Sequence, residues 1–143
     1  MHKHQKTRPS NMQDFFNTHD QLARHLGIRV LQASQGQAWA QMEIRPEHKN
    51  GLDMVHGGAI FTLADLAFAA ASNSRGRAAV AINSHISFLK PVYNGLLRAE
   101  AREVSLSHKL ASYTVHIYDQ EGETCAVFQG MVYRKQTTLK EQD

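Results

Sequence analysis

Hydrophobic and polar positions change their period several times along the chain, and each change marks an element. In "PSNMQDFFNTHDQLARHLGI", Phe15, Leu22 and Leu26 fall on one side of a helix, Ser10 and Gln13 have capping-box spacing, and Gly27 is placed to stop it. The next stretch, "IRVLQASQGQAWAQMEIRP", predicts a hairpin turning at Gln35-Gly36. In its second arm Ala38, Ala40, Met42 and Ile44 alternate with Trp39, Gln41, Glu43 and Arg45, the period of a strand. Then "NGLDMVHGGAIFTLADLAFAAAS", Asn50 to Ser72, opens polar and passes through His56-Gly57-Gly58. It runs apolar for more than three turns, with Asp65 inside. Strand patterns fill the rest. Val80, Ile82, Ser84, Ile86 and Phe88 alternate; "LLRAEAREVSL" is charged and expected to be more exposed; Ala111, Tyr113, Val115 and Ile117 alternate again. The turn "DQEGE" leads into "TCAVFQGMVYRK".

The order is helix, hairpin, long apolar helix, then three or four antiparallel strands, an α+β arrangement. The central helix carries Ile60, Phe61, Leu63, Leu66 and Phe68, with alanines at 59, 64, 67, 69, 70 and 71. A helix apolar on nearly all sides must be wrapped. Its small residues admit close strands, so a curved antiparallel sheet rolled around it meets both demands. One such sheet leaves edges and part of the helix uncovered, which predicts association of two subunits.

Length and composition narrow the picture further. The 143 residues suit one domain, expected over 10–135, with a basic tail at 1–9 and a second tail at 136–143. The net charge of +3 is mild and lies largely in the ends "MHKHQKTR" and "RKQTTLK", so no nucleic-acid partner is expected. The single cysteine, Cys125, excludes an internal disulfide framework or a cysteine metal cluster and reads as core. No signal-peptide core opens the chain, and the longest apolar run is broken by Asp65. A reducing cytoplasmic setting without a membrane partner is therefore the expectation. No His-Glu-x-x-His, Gly-x-Ser-x-Gly or phosphate-loop pattern occurs, and no metal is expected.

Asp65 is the anomaly. It reads either as a structural acid paired with a buried Arg or as a chemical group. The helix starts near His56-Gly57-Gly58, where its first amides lack partners and its dipole end is positive. Such a head suits a developing oxyanion, as formed when a thioester or ester carbonyl is attacked. Gly57 and Asp65 are eight residues apart, or roughly 12 Å along a helix. Both must lie within about 3 Å of one reacting centre. If both act, Asp65 of one chain meets the Gly57 amide of another, as antiparallel central helices in a two-fold dimer would allow.

The run from Asn50 to Ser72 resembles the signature of the hotdog-fold acyl-CoA thioesterases, in particular the PaaI branch associated with phenylacetate degradation. Asn50, the His56-Gly57-Gly58 turn and Asp65 in "TLAD" carry the match, supported by "SFLKPV", "GLLRAEA" and "AVFQGMVYR". The likeness spans roughly Gly27 to Arg134. It implies a hotdog fold, a homodimer paired into a homotetramer, and hydrolysis of acyl-CoA without a separate cofactor, coenzyme A being part of the substrate. Asp65 becomes the base or nucleophile, and the Gly57 amide the oxyanion donor. Asn50 and His56 position carbonyl or water. Gly58, Thr62, Asn83, Ser84, Lys90, His108 and Lys109 are the candidates along the substrate and CoA path. The family's Gly-basic turn is replaced here by "SHK", Ser107 to Lys109. Two alternatives stand beside hydrolysis. A thioester hydratase or dehydratase would need a histidine paired with the helix acid. A non-enzymatic acyl-CoA sensor would typically have lost that acid.

Overall fold

A computed structural model describes residues 12–139. Two short helices, α1 (Met12–His19) and α2 (Gln21–Leu26), open it. The sequence pattern predicts one helix here, and the break has a local cause. Asp20 leaves the helical conformation and caps α2, its side chain accepting the Ala23 amide at 3.0 Å. The break also turns the buried face, so Phe16, Ala23 and Leu26 meet the core while Leu22 is exposed. Ser10 lies outside the described residues. Gly27 ends α2 in the left-handed conformation expected of a helix-stopping glycine.

The hairpin forms as predicted, from β1 (Ile28–Ser34) and β2 (Gln37–Glu43). Gln35 and Gly36 both take positive φ, 51° and 80°, the turn that matches strand twist. Next comes the central helix α3 (Gly57–Asn73), followed by β3 (Arg77–Phe88), β4 (Leu96–Leu106), β5 (Leu110–Tyr118) and β6 (Thr124–Thr138). The six strands form one antiparallel sheet in the order β1-β2-β4-β5-β6-β3. Strand pairing of Arg77 with Thr138 carries the sheet into the segment expected as a tail.

The sheet wraps α3. Leu63, Leu66 and Phe68 are buried against Ala38, Ala40, Met42, Leu97, Ala99, Val115 and Phe128, each large side chain contributing roughly 1.5–3 kcal/mol. β4 is not the exposed strand its charges suggested. It lies inside the sheet, with Leu97, Ala99 and Ala101 turned to the core and the charges on the far face. Cys125 is core, and burial pushes its thiol up to about 11. Gly130 lets helix and sheet approach: a Cβ there would lie 2.7 Å from Phe68 Cζ. Gly130→Ala should therefore destabilise the fold by about 1–3 kcal/mol through overpacking, read as a drop in Tm of a few degrees. An unchanged Tm would mean that Phe68 yields freely.

The two edges of the sheet differ. On β1, the Asn17 side chain donates to the Val30 carbonyl at 2.9 Å and accepts the Val30 amide at 2.8 Å, taking the place of a neighbouring strand. On β3 the matching clamp sits only near the start of the strand, where Asn73 accepts the Ala79 amide at 2.9 Å and donates to the Ala79 carbonyl at 3.4 Å; residues 80–88 carry none among the described residues. A bulge between Ala81 and Asn83 breaks its alternation, and Val80 and Ile82 stand exposed instead of facing the core. No helix of the described residues is long and apolar enough to cross a membrane.

Candidate active site

The site is assembled at the head of α3. His56 caps the helix, its Nδ1 accepting the Gly58 amide at 2.9 Å. A nitrogen that accepts cannot carry the proton, so Nε2–H is the remaining donor of the neutral ring. The amides of Ala59 and Ile60 donate to the His56 carbonyl at 2.9 and 3.2 Å. Of the first four amides of α3, only that of Gly57 is without a hydrogen bond among the described residues. The Phe88 ring of β3 lies alongside, 3.0 Å from where a Gly57 Cβ would stand.

Asn50 sits at the base of the loop leading into this turn, next to the bridge between Lys49 and Val55. Its Oδ1 accepts the amides of Leu52 at 2.9 Å and Met54 at 3.3 Å, and its own amide donates to the Met54 carbonyl at 2.8 Å. The side-chain oxygen is thus committed to the loop, while the Nδ2 group keeps its hydrogens.

Further along α3, Phe61, Thr62, Asp65 and Ala69 form a stripe that the chain's own sheet leaves partly open. Thr62 donates its hydroxyl proton to the Gly58 carbonyl at 2.8 Å. Phe61 packs edge-on against Phe128 at 5.5 Å. Asp65 has no hydrogen-bond or ion-pair partner among the described residues, so the buried Arg of the structural reading is not there. Burial, and then the charge of Asp20, raises its pKa above the ordinary aspartate value.

The other candidates separate. Ser84 pairs with Gly130, on the helix side of the sheet, whereas Asn83 pairs with Met131 on the opposite face. Lys90 is held by Asp119 and Glu123, both at 2.5 Å, and these carboxylates keep its ammonium well above the usual lysine range. His108 and Lys109 lie in the β4–β5 turn, past the end of α3 where Arg75 grips Glu103. That is the length of the helix, about 25 Å, from Gly57 of the same chain.

Two contributors escape a reading of the sequence alone. Phe88 is strand-patterned, and nothing local places its ring against Gly57. His48 is buried beneath the loop. Its signal was available in "RPEH", where Pro46 starts a turn and His48 stands three residues after Arg45.

The thioesterase superfamily model (4HBT) matches residues 52–126. Acyl-coenzyme A thioesterase PaaI of Escherichia coli is 38% identical over 116 residues, 80% of this chain and 83% of that protein. The solved structure of the E. coli PaaI protein from the phenylacetic acid degradation operon superposes with a TM-score of 0.83 at 36% identity, covering 87% of this chain and 91% of that one. A variant of the phenylacetic acid degradation protein PaaI from Thermus thermophilus gives a TM-score of 0.76 at 37% identity, covering 80% and 98%. With the wrapped helix, the six-stranded sheet and these likenesses together, the chain belongs to the thioesterase superfamily as a PaaI-like hotdog-fold enzyme.

Proposed function

We propose that this enzyme hydrolyses acyl-CoA thioesters at two sites shared between paired subunits. One observation carries the reading: α3 presents a carboxylate and an amide, both unpaired among the described residues, that cannot reach the same carbonyl within one chain. Pairing two α3 helices antiparallel across the open β3 edges brings Asp65 of one subunit to Gly57 of the other, twice. Exposed Val80 and Ile82 on that edge favour a second copy as the cover. Tyr133 and Leu110, cross-strand neighbours at the surface, offer a contact for joining two dimers.

The chemistry then follows from the groups in place. The thioester carbonyl oxygen accepts from the Gly57 amide, and Asn50 Nδ2 and His56 Nε2 orient carbonyl or water. Ionised Asp65 takes a proton from water as its oxygen bonds to the carbonyl carbon. The tetrahedral intermediate collapses, the C–S bond breaks, and the thiolate of CoA takes up the proton, leaving free acid and thiol. Direct attack by the carboxylate, followed by hydrolysis of the anhydride, gives the same products. The PaaI relatives support an aryl-acetyl group, phenylacetyl or a ring-hydroxylated form, as the acyl part.

A thiol-release screen over aryl-acetyl and straight-chain acyl-CoAs tests this directly. Turnover is expected throughout a dimer or tetramer by sedimentation, fastest with the aryl substrates. Absence of hydrolysis with every acyl-CoA removes the proposal, and a fully active monomer removes the shared site.

A further inference from the structure

The geometry points to His48 as the positioning residue that sets Asn50 and His56 at the head of α3; the inference rests on the hydrolytic reading above. His48 is only 1% exposed, yet both of its ring nitrogens are engaged. Nδ1 accepts the Arg45 amide at 2.9 Å, and Nε2 lies 2.7 Å from the Leu26 carbonyl. An amide only donates and a carbonyl only accepts, so the ring is neutral with its hydrogen on Nε2. Leu26 closes α2, where carbonyls lack intrahelical partners, so the imidazole satisfies a helix end as well as a turn.

The main chain of the same residue completes the fixture. The His48 carbonyl accepts the His56 amide at 2.7 Å, and Lys49 bridges to Val55, closing the loop that carries Asn50 at its base. His56 in turn takes the Gly58 amide, the bond that leaves Gly57 as the open donor. One buried ring therefore ties α2, the Arg45 turn and the cap of α3 together. Ser72 and Asn73, also buried and polar, serve the opposite end of the helix.

Because Gly57, Asn50 and His56 act on developing charge, loosening their common base should slow the chemical step more than it weakens substrate capture. The test compares full-length variants shown to be folded and assembled, with the fastest substrate of the screen. His48→Leu keeps bulk and loses both polar contacts. Its kcat should fall by about ten- to a hundredfold with KM held within about twofold. His48→Asn places an oxygen where Nδ1 stood, can still accept the Arg45 amide, and should restore kcat to within about threefold of the parent. Nitrogen NMR of the wild-type ring should give the Nε2–H tautomer. If His48→Leu does not fold, His48→Gln replaces it; that side chain reaches Leu26 but not the Arg45 amide, and must show the same kcat loss.

An unmoved kcat in folded His48→Leu or His48→Gln, a His48→Asn that falls as far as His48→Leu, kcat and KM changing in proportion, or a ring protonated on Nδ1 overturns the role of His48 and leaves the hydrolytic reading standing. A wild-type enzyme that cleaves no acyl-CoA overturns both.

Discussion

Asp65→Asn is expected to lower turnover by about a hundredfold or more with the fold and assembly intact, the scale of losing a positioned base or nucleophile. The same variant should melt at a higher temperature at neutral pH. Burial raises the folded pKa of Asp65 above its unfolded value, so the folded state holds the proton more tightly. Stability from this group is fully present below the unfolded pKa, falls as pH rises through the window between the two values, and is lost above the folded one. At neutral pH the ionised carboxylate is therefore a burden on the fold that a neutral amide lifts. A structural acid held by a partner predicts the opposite, lower stability with little change in rate. Measuring kcat and Tm together on one preparation separates the two, and near-normal turnover would return Asp65 to a structural role.

Gly57→Pro should raise the barrier by about 2.7–4 kcal/mol, the worth of one oxyanion donor. Proline is tolerated at the first position of a helix, where its missing amide breaks no intrahelical bond. It also brings ring atoms toward Phe88, whose Cζ lies 3.0 Å from the position of an added Cβ. Gly57→Ala is the control: it keeps the amide and meets the same ring. If the amide stabilises the oxyanion, proline loses far more turnover than alanine, while both bind a non-hydrolysable acyl-CoA analogue about equally. Equal losses in the two variants would assign the effect to crowding. Mixing Asp65→Asn chains with Gly57→Pro chains should recover activity, since a mixed dimer holds one site with both groups intact.

The head of α3 was legible in the sequence because its determinants are local. His56, two glycines and the apolar run after them specify a cap and a wrapped helix within a few residues of one another. The hairpin was legible for the same reason. What stayed hidden depends on distant partners. Lys90 looked like a free cation until Asp119 and Glu123 arrived from a strand connection about thirty residues away. The pattern Val80, Ile82, Ser84, Ile86, Phe88 predicts one continuous face, but the bulge at Ala81–Asn83 is set by pairing with β6. It turns Val80 and Ile82 outward while Ser84 and Phe88 stay on the helix side. At the N-terminus, half-buried Phe16 packs against the core while Phe15 packs on Phe16 and His19, contacts that one continuous helical stripe does not foretell.

The amide of Asn17 has a consequence for stoichiometry. A sheet with two free edges can add copies at both and grow without limit. Here Asn17 takes the amide and carbonyl of Val30 within one rim, whereas on the other Asn73 takes only those of Ala79, near the start of β3, and leaves the longer stretch without a clamp among the described residues. A building block with a single sticky side pairs once and stops, and a like-with-like contact of that kind closes about a two-fold axis. On the paired-subunit reading proposed above, Asn17 would help to limit strand addition at the β1 rim. Its removal would then free a further point of growth on β1, turning a finite assembly toward filaments.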